Sequence, residues 1–184
     1  FRQRMYPVLF VLRMVAVIAV VIALARPQSK LSRQEMKVEG IDIVMALDIS
    51  GSMIAEDLKP NRLEAAKAVG TEFLSSRPND NIGLVIFAGE SYTLCPLTTD
   101  KKTLVNLMGT IKDGMMDNDG TAIGMGLANA VNRLKDSQAK SKVIILLTDG
   151  TNNRGEIDPL TASELAKAYG IRVYTIGVGT KGEA

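Results

Sequence analysis

The sequence predicts an α/β fold, a doubly wound and mostly parallel sheet with one antiparallel edge strand, preceded by a transmembrane helix. Three observations support this prediction. Continuous apolar runs, typical of strands that helices cover on both faces, alternate with helical patterns over most of the chain. A shorter run returns directly after a tight turn, which predicts a hairpin. A long apolar stretch precedes all of these elements.

The long apolar stretch, Tyr6–Ala25, is interrupted only by Pro7 and Arg13. Twenty residues at about 1.5 Å each span roughly the 30 Å hydrocarbon core of a bilayer. Residues 1–27 are therefore interpreted as a transmembrane anchor with a basic flank. The alternatives are a buried core helix and a signal peptide cleaved after the small residues at 23–25. The apolar run continues to that cleavage site without a polar stretch, which favours a retained anchor.

Basic residues are concentrated near the start of the chain. Of the 22 basic residues, six lie in residues 1–34, where no acidic residue occurs; this leaves 16 basic and 20 acidic residues, or −4, for the rest. The six are Arg2, Arg4, Arg13, Arg26, Lys30 and Arg33. The first three favour a cytoplasmic N-terminal flank and the last three oppose it, so charge determines the orientation only weakly. The acidic remainder argues against nucleic-acid binding.

Five strands and four helices are predicted after a polar linker at residues 28–39. The strands are Ile41–Leu47, Ile82–Ala88, Tyr92–Leu97, Lys142–Leu147 and Ile171–Val178, with a hairpin turn at Gly89–Ser91. The helices are Arg62–Ser75, Lys101–Lys112, Ala122–Leu134 and Pro159–Tyr169. Apolar residues of the first helix recur on one stripe, and a proline opens the last helix.

The composition excludes several classes of site. Apolar residues at 46% and charged residues at 23% describe a folded chain, and its 184 residues suffice for one domain with a sizeable core. No histidine is present, which excludes Ser-His-Asp and Cys-His catalysis and histidine-type zinc sites. The single cysteine, Cys95, can form neither an internal disulfide nor a thiolate metal cluster.

Oxygen-bearing side chains follow two strands and precede one helix of the predicted sheet. The candidate ligands are Asp48, Ser50, Ser52, Thr121 and Asp149. Each is explained singly as a helix cap or a turn residue, including the Asp119-Gly120 pair that precedes Thr121. Ligands of such sheets bind beyond the carboxyl ends of the strands, and hard cations take oxygen ligands. The coincidence of three such loops on one side of the sheet predicts a divalent-cation site.

This pattern resembles the metal-ion-dependent adhesion site of von Willebrand factor A domains, Asp-x-Ser-x-Ser followed by a distant Thr and a later Asp. The resemblance implies a Rossmann-like fold in which Ser50 and Ser52 ligate Mg²⁺, or Mn²⁺ or Ca²⁺ in its place. It also implies that Thr121 joins when a partner is bound. Asp48 and Asp149 would then hold metal-bound waters or outer hydrogen bonds.

Longer runs are similar to the membrane-anchored bacterial aerotolerance (Bat, BatA-like) type of this family. They are Ala25–Gln28, Lys59–Leu63, Phe87–Glu90 and Cys95–Asp100. The resemblance implies a non-enzymatic domain at residues 40–184 on the periplasmic side of a bacterial inner membrane. Its cation would bind a carboxylate of a protein partner, and sister proteins of the same type and a MoxR-like AAA+ ATPase are the implied partners. The family adds a further helix and strand after Thr175–Gly179, so the domain is expected to be truncated here.

Two other functions fit the sequence less well. A magnesium-dependent phosphoryl-transfer enzyme would use Asp48 as its nucleophile, but Ser50 stands where such enzymes place a second acid, and no phosphate-loop lysine follows a glycine run. A structural membrane subunit without a metal is disfavoured by the intact hydroxyls. The G-x-G-x-x-G match at Gly177–Gly182 lacks a following helix, and Asp117–Gly120 lacks the flanking acids of a calcium loop.

Overall fold

The computed structural model describes residues 2–24, 40–116, 120–150 and 152–180. Three predicted features lie outside the described residues. They are the linker at 28–39, Asp119 in the loop before Thr121, and the end of the G-x-G-x-x-G match. The chain divides into two compact units, Phe1–Met36 and Lys37–Ala184.

The first unit contains helix α1, Arg2–Leu24, so the helical conformation predicted for this segment is confirmed. Among the residues that the structure describes in full, no helix reaches the length and apolar character that crossing a membrane requires.

The second unit alternates strands and helices. In chain order they are β1 (Asp42–Asp48), a short 3₁₀ turn (Gly51–Ile54), α2 (Arg62–Ser75), β2 (Asn81–Phe87), β3 (Ser91–Thr98), α3 (Lys101–Thr110), α4 (Ile123–Leu134), β4 (Lys142–Thr148), α5 (Pro159–Ala168) and β5 (Ile171–Gly177). All five strands and four helices predicted for this unit are present, with bounds that differ by up to two residues. Helix α3 ends before the predicted Lys112 because Ile111 adopts an extended conformation and is fully buried.

The sheet has the strand order β3-β2-β1-β4-β5. Strands β2, β1, β4 and β5 pair in parallel, and β3 returns antiparallel to β2 at one edge. The predicted α/β class with a mostly parallel sheet and one antiparallel strand is confirmed. Because β1 lies between β2 and β4, the carboxyl ends of these three strands meet at one edge of the sheet.

Two apolar cores cover the faces of the sheet. Ile43, Met45 and Leu47 of β1 point into the core beneath α2 and α3, and Val44 and Ala46 point into the core beneath α4 and α5. All seven residues of β1 are buried. The continuous apolar run of this strand therefore results from its burial on both faces.

Glycine at position 126 allows α4 to approach β2 closely. A Cβ atom at Gly126 would lie 2.7 Å from the ring of Phe87, the last residue of β2. This close contact brings the start of α4 to the edge of the sheet where the candidate ligands lie.

We expect Gly126→Ala to lower the free energy of unfolding by about 1–3 kcal/mol, because the added methyl group overpacks the core against Phe87. Gly109→Ala is the matched control. Gly109 lies in α3 with no neighbouring atom within 4 Å of its Cβ position, so this change should be neutral or stabilise the chain by up to about 1 kcal/mol. Urea unfolding followed by circular dichroism measures both. Equal effects of the two substitutions would contradict the packing described here.

Candidate metal centre

Three loops meet at the carboxyl edge of the sheet. Ser50 and Ser52 follow β1, Asp149 follows β4, and Thr121 precedes α4. Ser52 contacts Asp149 directly, and Thr121 Oγ1 lies 3.7 Å from the position that a Cβ atom would take at Gly150. The structure thus brings the three loops that the sequence predicts for the site to one edge of the sheet.

The two serine hydroxyls lie next to each other. Ser50 Oγ and Ser52 Oγ are 3.1 Å apart, and Ser52 Oγ donates to Asp149 Oδ1 over 2.8 Å. A carboxylate only accepts, so the single hydroxyl proton of Ser52 is used on Asp149. The contact between the serines places their two oxygens within hydrogen-bond distance of each other. Lone pairs of both hydroxyl oxygens remain available to a cation.

Asp48 lies behind the serines and is fully buried. Its carboxylate accepts from the backbone N–H of Ser50 over 2.9 Å and from Thr148 Oγ1 over 2.6 Å. Burial raises the pKa of Asp48, and the hydrogen bonds from Ser50 and Thr148 oppose this shift. With both oxygens occupied, Asp48 holds the loop after β1 in place.

Asp149 is shared between Ser52 and an arginine that the sequence analysis did not identify. Arg62 Nη1 donates to Asp149 Oδ2 over 2.7 Å, and the side chain of Asp149 is only 1% exposed. Arg62 begins α2, directly after the cap residue Asn61. Its position within the run Lys59–Leu63 was the only feature of the sequence that marked it.

The loop after β4 holds Thr121. Asn153 Oδ1 accepts from the N–H of Thr121 over 2.8 Å, and the carbonyl of Thr121 accepts from the N–H groups of Asn153 and Arg154. Helix α4 has no side-chain cap from Ala122; Asn152 Oδ1 accepts from the N–H of Ile123 instead. The loop after β4 and the segment before α4 are therefore joined by hydrogen bonds, a link that the sequence patterns did not predict.

The donor set fits a small hard cation. In octahedral coordination at about 2.0–2.1 Å, neighbouring ligand oxygens lie about 3.0 Å apart. The separation of the Ser50 and Ser52 oxygens, 3.1 Å, meets this requirement. Within the described residues, no group of three or more acidic, cysteine or histidine side chains is placed to hold a metal. A cation at this edge would depend on hydroxyl oxygens, and the ligand roles of the five residues stay predictions.

Comparison with known proteins identifies the fold. Residues 42–184 match the model of the von Willebrand factor type A domain. An uncharacterized protein of Borreliella burgdorferi is 38% identical over 170 residues, which cover 91% of this chain and 49% of that protein. The chain spans about half the length of the curated relatives it matches.

Solved structures agree with this match. An aerotolerance-related membrane protein from Bacteroides fragilis is 30% identical with a TM-score of 0.70, over 78% of this chain and 74% of that chain. BatB from Bacteroides thetaiotaomicron is 32% identical with a TM-score of 0.67, over 78% and 73%. Proximal thread matrix protein 1 from the mussel byssus, with a zinc-occupied metal-ion-dependent adhesion site, is 29% identical with a TM-score of 0.67, over 77% and 36%.

We expect Thr148→Val to lower the free energy of unfolding by about 1.5–3 kcal/mol, because the buried carboxylate of Asp48 loses a charged hydrogen bond. Thr148→Ser keeps the hydroxyl and should cost less. Urea unfolding in the presence of a chelator measures the effect without any contribution from a cation. If the valine and serine variants unfold at the same urea concentration, the hydrogen bond to Asp48 contributes nothing measurable.

Proposed function

Since the chain belongs to the von Willebrand factor type A domain family, among its Bat-type aerotolerance-related proteins, we propose that it is a membrane-tethered recognition module. It binds a divalent cation at a metal-ion-dependent adhesion site and, through that cation, a carboxylate of a protein partner. The observation that carries this proposal is the pair of serine oxygens 3.1 Å apart. The carboxylate of Asp48 binds the backbone N–H of Ser50, and that of Asp149 binds the hydroxyl of Ser52.

The charge distribution around the site supports recognition of an acidic group. The oxygens nearest to the cation position belong to neutral hydroxyls, while Asp48 and Asp149 are occupied by other donors. Most of the cation's charge is then not neutralised by the protein. A bound cation is the largest local charge in such a site, so it attracts an anionic ligand to its open position. A glutamate or aspartate side chain of a partner fits this position.

The donor set favours magnesium or manganese over calcium. Ca²⁺ takes six to eight oxygen ligands, many of them from carboxylates, whereas the carboxylates of Asp48 and Asp149 are hydrogen-bonded to other groups here. The mussel protein holds zinc at the corresponding motif, which shows that the fold accepts a small divalent ion. We therefore place Mg²⁺ first and Mn²⁺ next, with Ca²⁺ as the weaker alternative.

The enzymatic alternative has less support from the geometry. A nucleophilic Asp48 would need an oxygen that reaches the substrate, but the side chain is fully buried and both of its oxygens accept hydrogen bonds. The same residue is well suited to hold the loop after β1. An interaction module therefore accounts for Asp48 better than a phosphoryl-transfer enzyme does.

The proposal also includes a membrane anchor and protein partners. Helix α1 and the apolar run Tyr6–Ala25 would anchor the chain, with the domain on the periplasmic side of a bacterial inner membrane. The Bacteroides fragilis neighbour is a membrane protein, which supports a membrane location. Sister proteins of the same type and a MoxR-like AAA+ ATPase are the partners that the family resemblance implies.

We expect Ser50→Ala to weaken Mg²⁺ binding by about tenfold or more while the fold stays intact, because no neighbouring group replaces the lost ligand oxygen. Thr121→Ala should leave Mg²⁺ affinity close to that of the parent but reduce chelator-sensitive retention of proteins from membrane extracts. Calorimetric titration with MgCl₂ and pull-downs with and without chelator separate the two effects. Ser163→Ala, an exposed serine on α5, is the control. Negligible effects of both site substitutions in both measurements would contradict the proposal.

Deleting residues 1–27 should move the protein from the membrane pellet to the soluble fraction, because the apolar run of the anchor is removed. Fractionation of cells that express the full chain and the shortened chain, followed by immunoblotting, measures this change. A shortened chain that remains in the membrane pellet would show that something other than these residues holds it there.

A further inference from the structure

We propose that Arg62 is a positioning residue that serves as the counter-charge of Asp149 and thereby keeps this carboxylate out of direct contact with the cation. This inference rests on the proposed metal site and names a residue that controls its affinity. Arg62 and the cation then interact with the same carboxylate, that of Asp149. Each therefore weakens the stabilisation that this carboxylate gains from the other.

The guanidinium of Arg62 is held on two sides. Nε and Nη2 donate to the two oxygens of Asp57 over 2.7 and 3.0 Å, and Nη1 donates to Asp149 over 2.7 Å. The paired contact with Asp57 is the bidentate geometry that fixes a guanidinium most firmly. Asp57 also accepts from the N–H and hydroxyl of Thr180. Asp57 therefore holds the guanidinium of Arg62 in the orientation in which Nη1 contacts Asp149.

The ion pair of Arg62 and Asp149 is largely withdrawn from water. The side chain of Arg62 is 15% exposed and that of Asp149 is 1% exposed. Hydrogen bonds to Asp57 and then to Asp149 raise the pKa of Arg62, so it stays charged. A carboxylate this buried is destabilising without a partner charge. In the metal-free state Arg62 supplies that charge.

The contact also determines which oxygen of Asp149 faces the serines. Arg62 holds Oδ2, so Oδ1 is left to accept the proton of Ser52. The hydroxyl proton of Ser52 then points at Asp149, and its lone pairs are free for the cation. Without Arg62, Asp149 would carry an uncompensated charge beside the cation position. The cation would then stabilise Asp149 more strongly, either by direct contact or by electrostatic attraction at a distance.

Two measurements on the full chain test this coupling. In chelator, Arg62→Gln should lower the urea midpoint, and adding Asp149→Asn should recover most of that loss, because the unpaired charge is gone. With MgCl₂ as the probe, Arg62→Gln should tighten binding by about fivefold or more. Arg62→Lys keeps the charge and should stay near the affinity of the parent. Arg77→Gln, an exposed arginine on the loop after α2, is the control and should leave Mg²⁺ affinity unchanged.

The outcomes distinguish the inference from the function it rests on. Weaker or unchanged Mg²⁺ binding by Arg62→Gln would overturn the inference, because a purely structural role predicts a loss of affinity. Failure of Asp149→Asn to recover stability in chelator would overturn the counter-charge role without reference to any metal. A parent chain that binds no Mg²⁺ would instead overturn the proposed function, together with the claim that Arg62 controls cation affinity.

Discussion

The parallel pairing of β1 with β4 is the constraint on which the site depends. Leu47 of β1 lies opposite Leu147 of β4, so the residues that follow both strands leave the sheet side by side. The hydrogen bond from Ser52 to Asp149 closes this junction between residues 97 positions apart. Because alternate residues of β1 pack into two different cores, a slip in its register would disrupt the packing of both. The geometry of the oxygens thus follows from the packing of the sheet.

At this edge of the sheet, the charged carboxylates and the oxygens proposed to bind the cation belong to different residues. Asp48 and Asp149 each bind a hydroxyl or amide of the serine loop and a second donor behind it. The hydroxyls of the serine loop are neutral, with Ser52 exposed and Ser50 buried. Such a site binds a cation less tightly than a cluster of carboxylates would, but it leaves the cation able to attract an anionic partner. The use of neutral hydroxyl ligands therefore explains both the incomplete neutralisation of the cation and its ability to bind an anionic partner.

Much of this could be predicted from the sequence, because its strongest patterns are local. The apolar runs predicted the strands, and the spacing of Ser50 and Ser52 predicted two adjacent hydroxyls. The supporting residues were not predictable in this way. Arg62 contacts Asp149 across 87 positions, and Thr148 contacts Asp48 across 100. Asn153 is a residue type that is common in ordinary turns. Only the packing of α4 against β2 brings Thr121 to Asn153. Such contacts arise from topology, which residue type and spacing do not encode.

Diffraction from crystals soaked in Mn²⁺ tests the central claim most directly, because the anomalous signal of the ion gives its position. The account predicts one strong peak within about 2.5 Å of both Ser50 Oγ and Ser52 Oγ, with the carboxylates of Asp48 and Asp149 further away. No peak at these hydroxyls at saturating Mn²⁺, or an ion bound directly by the Asp48 carboxylate, would contradict it.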